Sequence, residues 1–440
     1  MRSATPPLAY GSGCPKVGIE GVGGGVRSAR VWKRLIGVDD RTVIEDLEFE
    51  DDDEAVVVHV RPRRPKRRRC GRCEKPAPGY DDGEGRRRWR GLDLGTVKVV
   101  LEADAPRVAC FEHGVTVAWV PWARHGSGFT RDFEEQAAWL ACHASKLAIT
   151  QLLRIAWVTV GRIIARVVAE RGAGVDPLEG LTRIGIDEIS YVRGHKYLTV
   201  VVDHDSGRLV WIKPGRSKKT VAAFFDALGE ARCAKIRLVS ADAAEWISPV
   251  VAKRCPGAVR CMDPFHVCQW ATNALDDVRR ETWNAARRAG QKAVAKELKG
   301  ARYALWKNPE DLTERQQAKL ADIAATNKRL YRAYLLKEQL RMVFHQDTPE
   351  AAISLLERWL AWASRSQIPA FVKLARTVRK HKVAIYAAVA HGLTNARVES
   401  LNQKLRLLIR KAFGFRSADA LIGMAWLAHG GLCPPLPGRS

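Results

Sequence analysis

Along this chain the spacing of apolar residues switches between strand-like alternation and helical periodicity, and each switch marks off a segment. The stretch "RVWKRLIGV" fits a short helix, and "TVIEDLEFEDDDEAVVVHVRPR" reads as two strands separated by an acidic turn. Residues 129 to 170 carry helical periodicity broken near Ala144-Ser145 and near Ile155-Ala156, which predicts three short helices. The glycine-rich, proline-containing "RGAGVDPLEG" then marks a domain boundary. Beyond it, "TRIGIDEIS", "HKYLTVVVDHDSGRLVWIKPG", "KIRLVSADAA" and "GAVRCMD" are short runs rich in Val, Ile and Leu, with "DHDSG" as a hairpin turn. "SKKTVAAFFDALGE" and "EWISPVVAKRC" fall between the later runs as helices. The order predicts three strands joined by hairpins, then helix, strand, helix, strand: a mixed five-stranded α/β sheet extended by right-handed crossovers. From Pro264 to about Ala390 the pattern is helical, and a last basic helix follows in "TNARVESLNQKLRLLIRK".

Composition narrows the class. With 440 residues and 46% hydrophobic content, the chain can bury the cores of several domains. Lys and Arg outnumber Asp and Glu by 73 to 48, for a net charge of +25, which implies a polyanionic partner, nucleic acid ahead of an anionic membrane. The longest apolar stretch, "LAITQLLRIAWVTVGRIIARVV", contains Arg154, Arg162 and Arg166, so it cannot cross a bilayer as a bare helix. Residues 1 to 30 lack the features of a secretory signal, and the glycines of "GIEGVGGGV" predict a disordered extension. The ten cysteines are scattered apart from one close pair, which suits a reducing compartment with one metal site and a cytoplasmic chain.

Three constellations carry chemistry. The basic run "RPRRPKRRR" ends at Cys70-x-x-Cys73, and Cys110-x-x-His113 follows after a spacer of residues 74 to 109. Two such knuckles supply a tetrahedral zinc site that closes a small fold with little core, and the spacer strands would fill the ribbon. The alternative is an accidental CxxC beside an unrelated Cys and His. The third of the short helices, starting near Trp157, presents Thr159 and Arg162 on a face suited to a DNA groove, as in a helix-turn-helix; an ordinary three-helix packing unit gives the same periodicity. Finally, Asp187 and Asp242 each follow an apolar strand of the same sheet, and Glu399 is a lone acid on the basic helix. Three converging carboxylates repel unless cations neutralise them, and oxygen-only ligation favours Mg2+ or Mn2+ and in-line phosphoryl transfer. Against this, strand-end Asp residues often form turns, and Glu399 can simply pair with Arg397 or Lys404. Trp270, Trp283 and Trp306 fit either base stacking or helix packing.

The blocks "GIDEIS...YLTVVVD", "LVSADAAEWI", "CMDPFHVCQW" and "TNARVESLNQKLRLLIRKAFGFRS" resemble the signature blocks of DDE transposases of the ISL-three insertion-sequence family, in the expected order. The resemblance covers nearly everything from Val31 onward. It implies N-terminal strands and a zinc ribbon over 31–122 and a helix-turn-helix module over 123–172. An RNase H-like catalytic domain would then span 181–440, interrupted by a helical insertion at about 270–390. Asp187, Asp242 and Glu399 would be the catalytic, magnesium-binding triad, and Cys70, Cys73, Cys110 and His113 the zinc ligands, with His113 standing where many relatives have Cys. Asp263 and His266 would lie near the site, His266 either positioning a phosphate or packing as a buried histidine. Glu188 faces the opposite side of the strand and reads as structural, and Cys255, Cys261 and Cys268 as core. Arg397, Lys404, Arg406, Arg410 and Lys411 would hold DNA backbone, with Trp157, Thr159 and Arg162 on the DNA-reading helix. The implied partners are double-stranded DNA, both the terminal inverted repeats and the target, and further copies of the chain on that DNA. The alternative is a catalytically inactive derivative acting as a DNA-binding regulator, which predicts loss of a triad carboxylate; all three are present.

Overall fold

The computed structural model of the chain describes residues 25–50, 54–63, 68–192, 194, 196–241, 246–393 and 395–439. Two compact units result: the chain up to Gly174 together with Leu432–Ser440, and Val175–Gly431. Asp242 lies outside the described residues, as does much of the basic run at 64–67.

The first unit opens with α1 (Gly25–Leu35), which starts before the boundary expected at residue 31. A short helix is marginal, and Arg27, Ser28, Ala29 and Arg30 lengthen it at little cost. Strands β1 (Thr42–Glu50) and β2 (Ala55–Pro62) form the expected hairpin. After them come β3 (Gly79–Asp81), β4 (Arg86–Arg90), β5 (Lys98–Asp104), β6 (Arg107–Cys110) and β7 (Gly114–Val117). The spacer strands do not all fill the zinc ribbon. β4 and β5 join the hairpin in a four-stranded sheet of order β1-β2-β5-β4, and only β3, β6 and β7 form the ribbon sheet. The reason is core size: β5 buries Val99, Leu101 and Ala103, which pack with Val56, Val58, Val60 and Trp89 in a cluster the small ribbon cannot supply.

Helices α2 (Arg131–His143), α3 (Lys146–Leu153) and α4 (Trp157–Gly172) break where the pattern predicts. Each break has a local cause. Thr130 and Ser145 cap α2 and α3 by accepting the Phe133 and Ala148 backbone N–H groups, and α3 stops at Arg154 in the left-handed region, φ 51°. Glu134, fully buried on α2, accepts from Arg124 at 3.3 Å and from Arg166 of α4 at 2.7 Å, which locks the two helices in register.

The second unit holds the mixed sheet β8 (Arg183–Val192), β9 (Lys196–Asp203), β10 (Leu209–Pro214), β11 (Leu238–Ala241) and β12 (Val259–Met262), in the order β10-β9-β8-β11-β12. The first three strands are antiparallel, and β11 and β12 run parallel to β8. Helices α5 (Lys218–Leu228), α6 (Glu230–Cys233) and α7 (Ile247–Arg254) make the crossovers. Phe224 and Phe225 of α5 are fully buried with Ile184, Ile186 and Val239, a contribution of about 1.5–3 kcal/mol per side chain. The helical segment comprises α8 (Pro264–Arg288), α9 (Lys292–Gly300), α10 (Arg302–Trp306), α11 (Glu314–Thr326), α12 (Lys328–Met342), α13 (Pro349–Arg365), α14 (Pro369–Lys380) and α15 (Lys382–His391), around a core of its own. Trp270 and Trp283 pack against that core, as helix packing requires. The chain returns to the sheet with α16 (Ala396–Lys411) and ends this unit with α17 (Ala418–His429). Among the described residues, no helix is long and apolar enough to cross a membrane.

Candidate active site and metal centre

Cys70, Cys73, Cys110 and His113 come together, their ligand atoms all within 4.8 Å of one another. Zinc bonded tetrahedrally at about 2.3 Å to sulfur and about 2.0 Å to nitrogen sets its ligand atoms roughly 3.6–3.8 Å apart. The structure matches this: Cys73 Sγ to Cys110 Sγ is 3.7 Å, Cys110 Sγ to His113 Nδ1 is 3.6 Å, and Cys70 Sγ to His113 Nδ1 is 3.9 Å. The imidazole of His113 beside it draws the Cys110 thiol down to about 6, toward the thiolate that metal binding needs.

On α4, Trp157 and Arg162 are exposed and Thr159 is half-buried, while Val160, Ile163, Ile164 and Val167 turn inward. The Lys146 ammonium sits 4.6 Å from the centre of the Trp157 ring, so a cation flanks this exposed face.

The acidic site forms on β8 of the second unit. Asp187 Oδ1 accepts the Glu188 backbone N–H at 2.8 Å, and Oδ2 accepts from Asn402 Nδ2 of α16 at 2.7 Å. Asn402 is one helical turn from Glu399, so this bond joins the Glu399 helix to the Asp187 strand across 215 residues of sequence. Asp187, Glu188, His266 and Glu399 line one open cleft. Glu188 thus borders the acidic site as well as holding Arg216, at 3.6 Å; that guanidinium stacks on Tyr197 and Trp246. The last residue of β11, Ala241, pairs with Ile186 on one side and Met262 on the other, so the ends of β11 and β12 lie level with the residue before Asp187.

Asp263 follows Met262 and caps α8, accepting the Phe265 N–H at 3.2 Å and contacting His266 Nδ1 at 2.9 Å. Asp263 is buried and orients the imidazole that reaches the cleft. Cys255 and Cys261 are buried, and burial pushes the half-buried Cys268 thiol up to about 11.

Helix α16 lies close on the sheet because β8 carries glycine at its contact. A Cβ on Gly185 would stand 2.3 Å from Val398 Cγ2 and 2.8 Å from His204 Nε2. Around it runs a buried polar chain: Ser240 Oγ donates to Asn395 Oδ1 at 2.5 Å, and the same hydroxyl contacts His204 Nε2 at 2.7 Å. The guanidinium of Arg397, on the exposed side of α16, donates to the carbonyls of His204 and Asp205, the latter at 2.6 Å, and so ties the helix to the β9–β10 turn. Arg406 pairs with Glu399 at 3.3 Å, and Lys404, Arg410 and Lys411 remain on the exposed side.

Sequence reasoning missed Asn402. Its signal was there: Val398, Leu401, Leu405 and Leu408 form the buried face of α16, and a single amide interrupts it.

Comparison with known proteins adds the family. A family model described as a transposase matches residues 184–425, more than half of the chain. The chain belongs to the ISL3, or ISL-three, family of transposases. Further models, for the helix-turn-helix domain of ISL3 transposases and for the zinc finger of transposases IS204/IS1001/IS1096/IS1165, match residues 120–168 and 66–113. The transposase for insertion sequence element IS1557 of Mycobacterium tuberculosis is 56% identical, covering 94% of this chain and 98% of that protein. The transposase for IS1001 of Bordetella parapertussis is 25% identical over 76% of this chain and 82% of its own length. The zinc-finger match includes all four residues of the Cys3His cluster, so this ISL3 transposase has a zinc ribbon at the place its cysteines mark.

Proposed function

We propose that this transposase binds the terminal inverted repeats of its own insertion sequence and cuts and joins DNA at a DDE site of Asp187, Asp242 and Glu399, on an RNase H-like sheet. The observation that carries the reading is the Asn402–Asp187 hydrogen bond, which sets Glu399 beside the strand of the first carboxylate. The strand order β10-β9-β8-β11-β12, three antiparallel strands and two parallel ones, supports the fold assignment. Asp242 follows Ala241, whose register partner is the residue before Asp187.

The oxygen-only donor set fits Mg2+ or Mn2+, held by Asp187, Asp242 and Glu399. Bound there, the ions would activate the attacking oxygen and stabilise the leaving oxygen of a phosphodiester. The residues of the chain then set geometry. Asn402 and the Glu188 N–H orient Asp187; Arg406 holds Glu399 before DNA arrives; Lys404, Arg410 and Lys411 draw the phosphates onto α16. Water would cleave the ends, and the 3′-hydroxyls released would attack target DNA, each step exchanging one phosphodiester P–O bond. The cytoplasm, at the nucleoid, is the place for this chemistry, and pairing of two ends calls for more than one copy of the chain. The functional modules are 31–122, 123–172 and 181–431, with the helical insertion at about 270–390 and the last residues, Leu432–Ser440, grouped with the first unit.

A plasmid excision assay tests the reading. Wild type excises an element bounded by its repeats, whereas Asp187→Ala, Asp242→Ala and Glu399→Ala do not, though each still shifts repeat DNA. Excision surviving in any one of them removes that residue from the triad.

A further inference from the structure

We infer that Asn402 is a positioning residue for the Asp187 carboxylate, fixing the plane in which its oxygens face the cleft; this rests on the DDE reading above. Asn402 is fully buried, and among the described residues its Oδ1 has no hydrogen-bond partner. For packing alone such a residue is a poor choice, because leucine, the residue around it at Leu401, Leu405 and Leu408, would fill the space without stranding a polar atom. What the amide supplies is a donor. An ionised carboxylate only accepts hydrogen bonds, so it is the amide Nδ2 that faces Asp187 Oδ2.

The donor is held still. The buried chain Asn395–Ser240–His204 fixes the start of α16, and Val398 sits against Gly185, the residue two before Asp187 on the same strand face. One turn after Val398, Asn402 reaches Asp187 at 2.7 Å. With Oδ2 occupied by Asn402 and Oδ1 engaged by the Glu188 N–H, the carboxylate plane is set from both sides. Glu399 and Asn402 therefore have complementary roles on one helix, the first contributing a ligand and the second aiming the ligand opposite.

Removing the partner that orients a metal ligand typically costs on the order of 10–100-fold in metal affinity or activity. Asn402→Leu and the isosteric Asn402→Asp are compared with wild type by Mn2+ titration followed by the loss of free-ion electron paramagnetic resonance signal, by repeat-DNA binding, by thermal melting and by excision. The expected result is a Mn2+ requirement raised by about tenfold or more in both variants, with excision reduced in parallel. Repeat binding stays at the wild-type value, and the melting temperature of Asn402→Leu is no lower than that of wild type. The result that overturns the assignment is wild-type Mn2+ binding in Asn402→Leu, or a Mn2+ defect accompanied by lost melting temperature and lost DNA binding, which marks a packing residue. Failure of the DDE reading itself looks different: Asp187→Ala would then bind Mn2+ and excise like wild type.

Discussion

At the scale of single residues, the seat of α16 makes the molecule sensitive to acid. Burial holds His204 down to about 4 from an ordinary 6.5, with Arg183 and Arg397 adding repulsion. Its Nε2 meets a Ser240 hydroxyl whose proton is given to Asn395, so the neutral ring donates there. Between the two values the unfolded chain takes up a proton that the folded chain refuses. The contribution is therefore complete above pH about 6.5 and drains away as pH falls toward 4. The gap is worth on the order of 3 kcal/mol. Urea denaturation of wild type and His204→Gln at pH 7 and pH 4.5 checks this, with a smaller acid loss expected in the variant. Some loss remains there, because burial also holds His429 to about 4. An equal loss in both proteins would clear His204. The same buried chain explains what the sequence hid. The Cys3His cluster was legible because each pair is local, Cys70 with Cys73 and Cys110 with His113, and only one spacer had to close. Glu399 and Asp187 are joined through contacts of Gly185, Ser240 and Asn395, which no spacing encodes.

At the scale of elements, period and punctuation located most boundaries. The breaks between α2, α3 and α4 are capping events at Ser145 and Arg154, written into those residues themselves. The strands of the zinc spacer went astray because alternation reveals a half-buried strand without naming its sheet. β5 follows β4 in sequence yet lies between β2 and β4, pairing parallel to β2. Helix α4 carries a prediction of its own. Its first turns expose Trp157, Val158, Gly161 and Arg162, the end from which such a helix meets base edges. Arg162→Ala removes an exposed side chain, so far-ultraviolet circular dichroism and melting should be unchanged. One lost base contact costs about 1–3 kcal/mol, a fall of roughly 5- to 150-fold in affinity for the repeat with little change for unrelated DNA. Fluorescence anisotropy on both DNAs reads the ratio, and an equal fall on both would make Arg162 a backbone contact instead.

At the scale of the whole molecule, the chain does not end in the unit where its last helix lies. Reading 181–440 as one domain follows from sequence continuity, but Leu432–Ser440 belongs with the N-terminal unit. The punctuation was visible: Gly430-Gly431 stops α17, and Pro434, Pro435 and Pro437 forbid another helix. The destination was not, because it depends on surfaces far away in sequence. Leu432 is buried, close enough that a side chain at Gly172 would meet its Cδ1 at 3.6 Å. The Cys433 thiol is drawn down to about 7 by its hydrogen bond with Cys142 of α2. Burial of Leu432 alone is worth about 1.5–3 kcal/mol to the helices it covers. A chain ending at Gly431 should therefore lose hydrogen-exchange protection in α2 and α4 and bind repeat DNA more weakly, while β8 and β9 keep theirs. Faster exchange in the mixed sheet, with α2 and α4 unaffected, would place the anchoring role of the tail in the other unit.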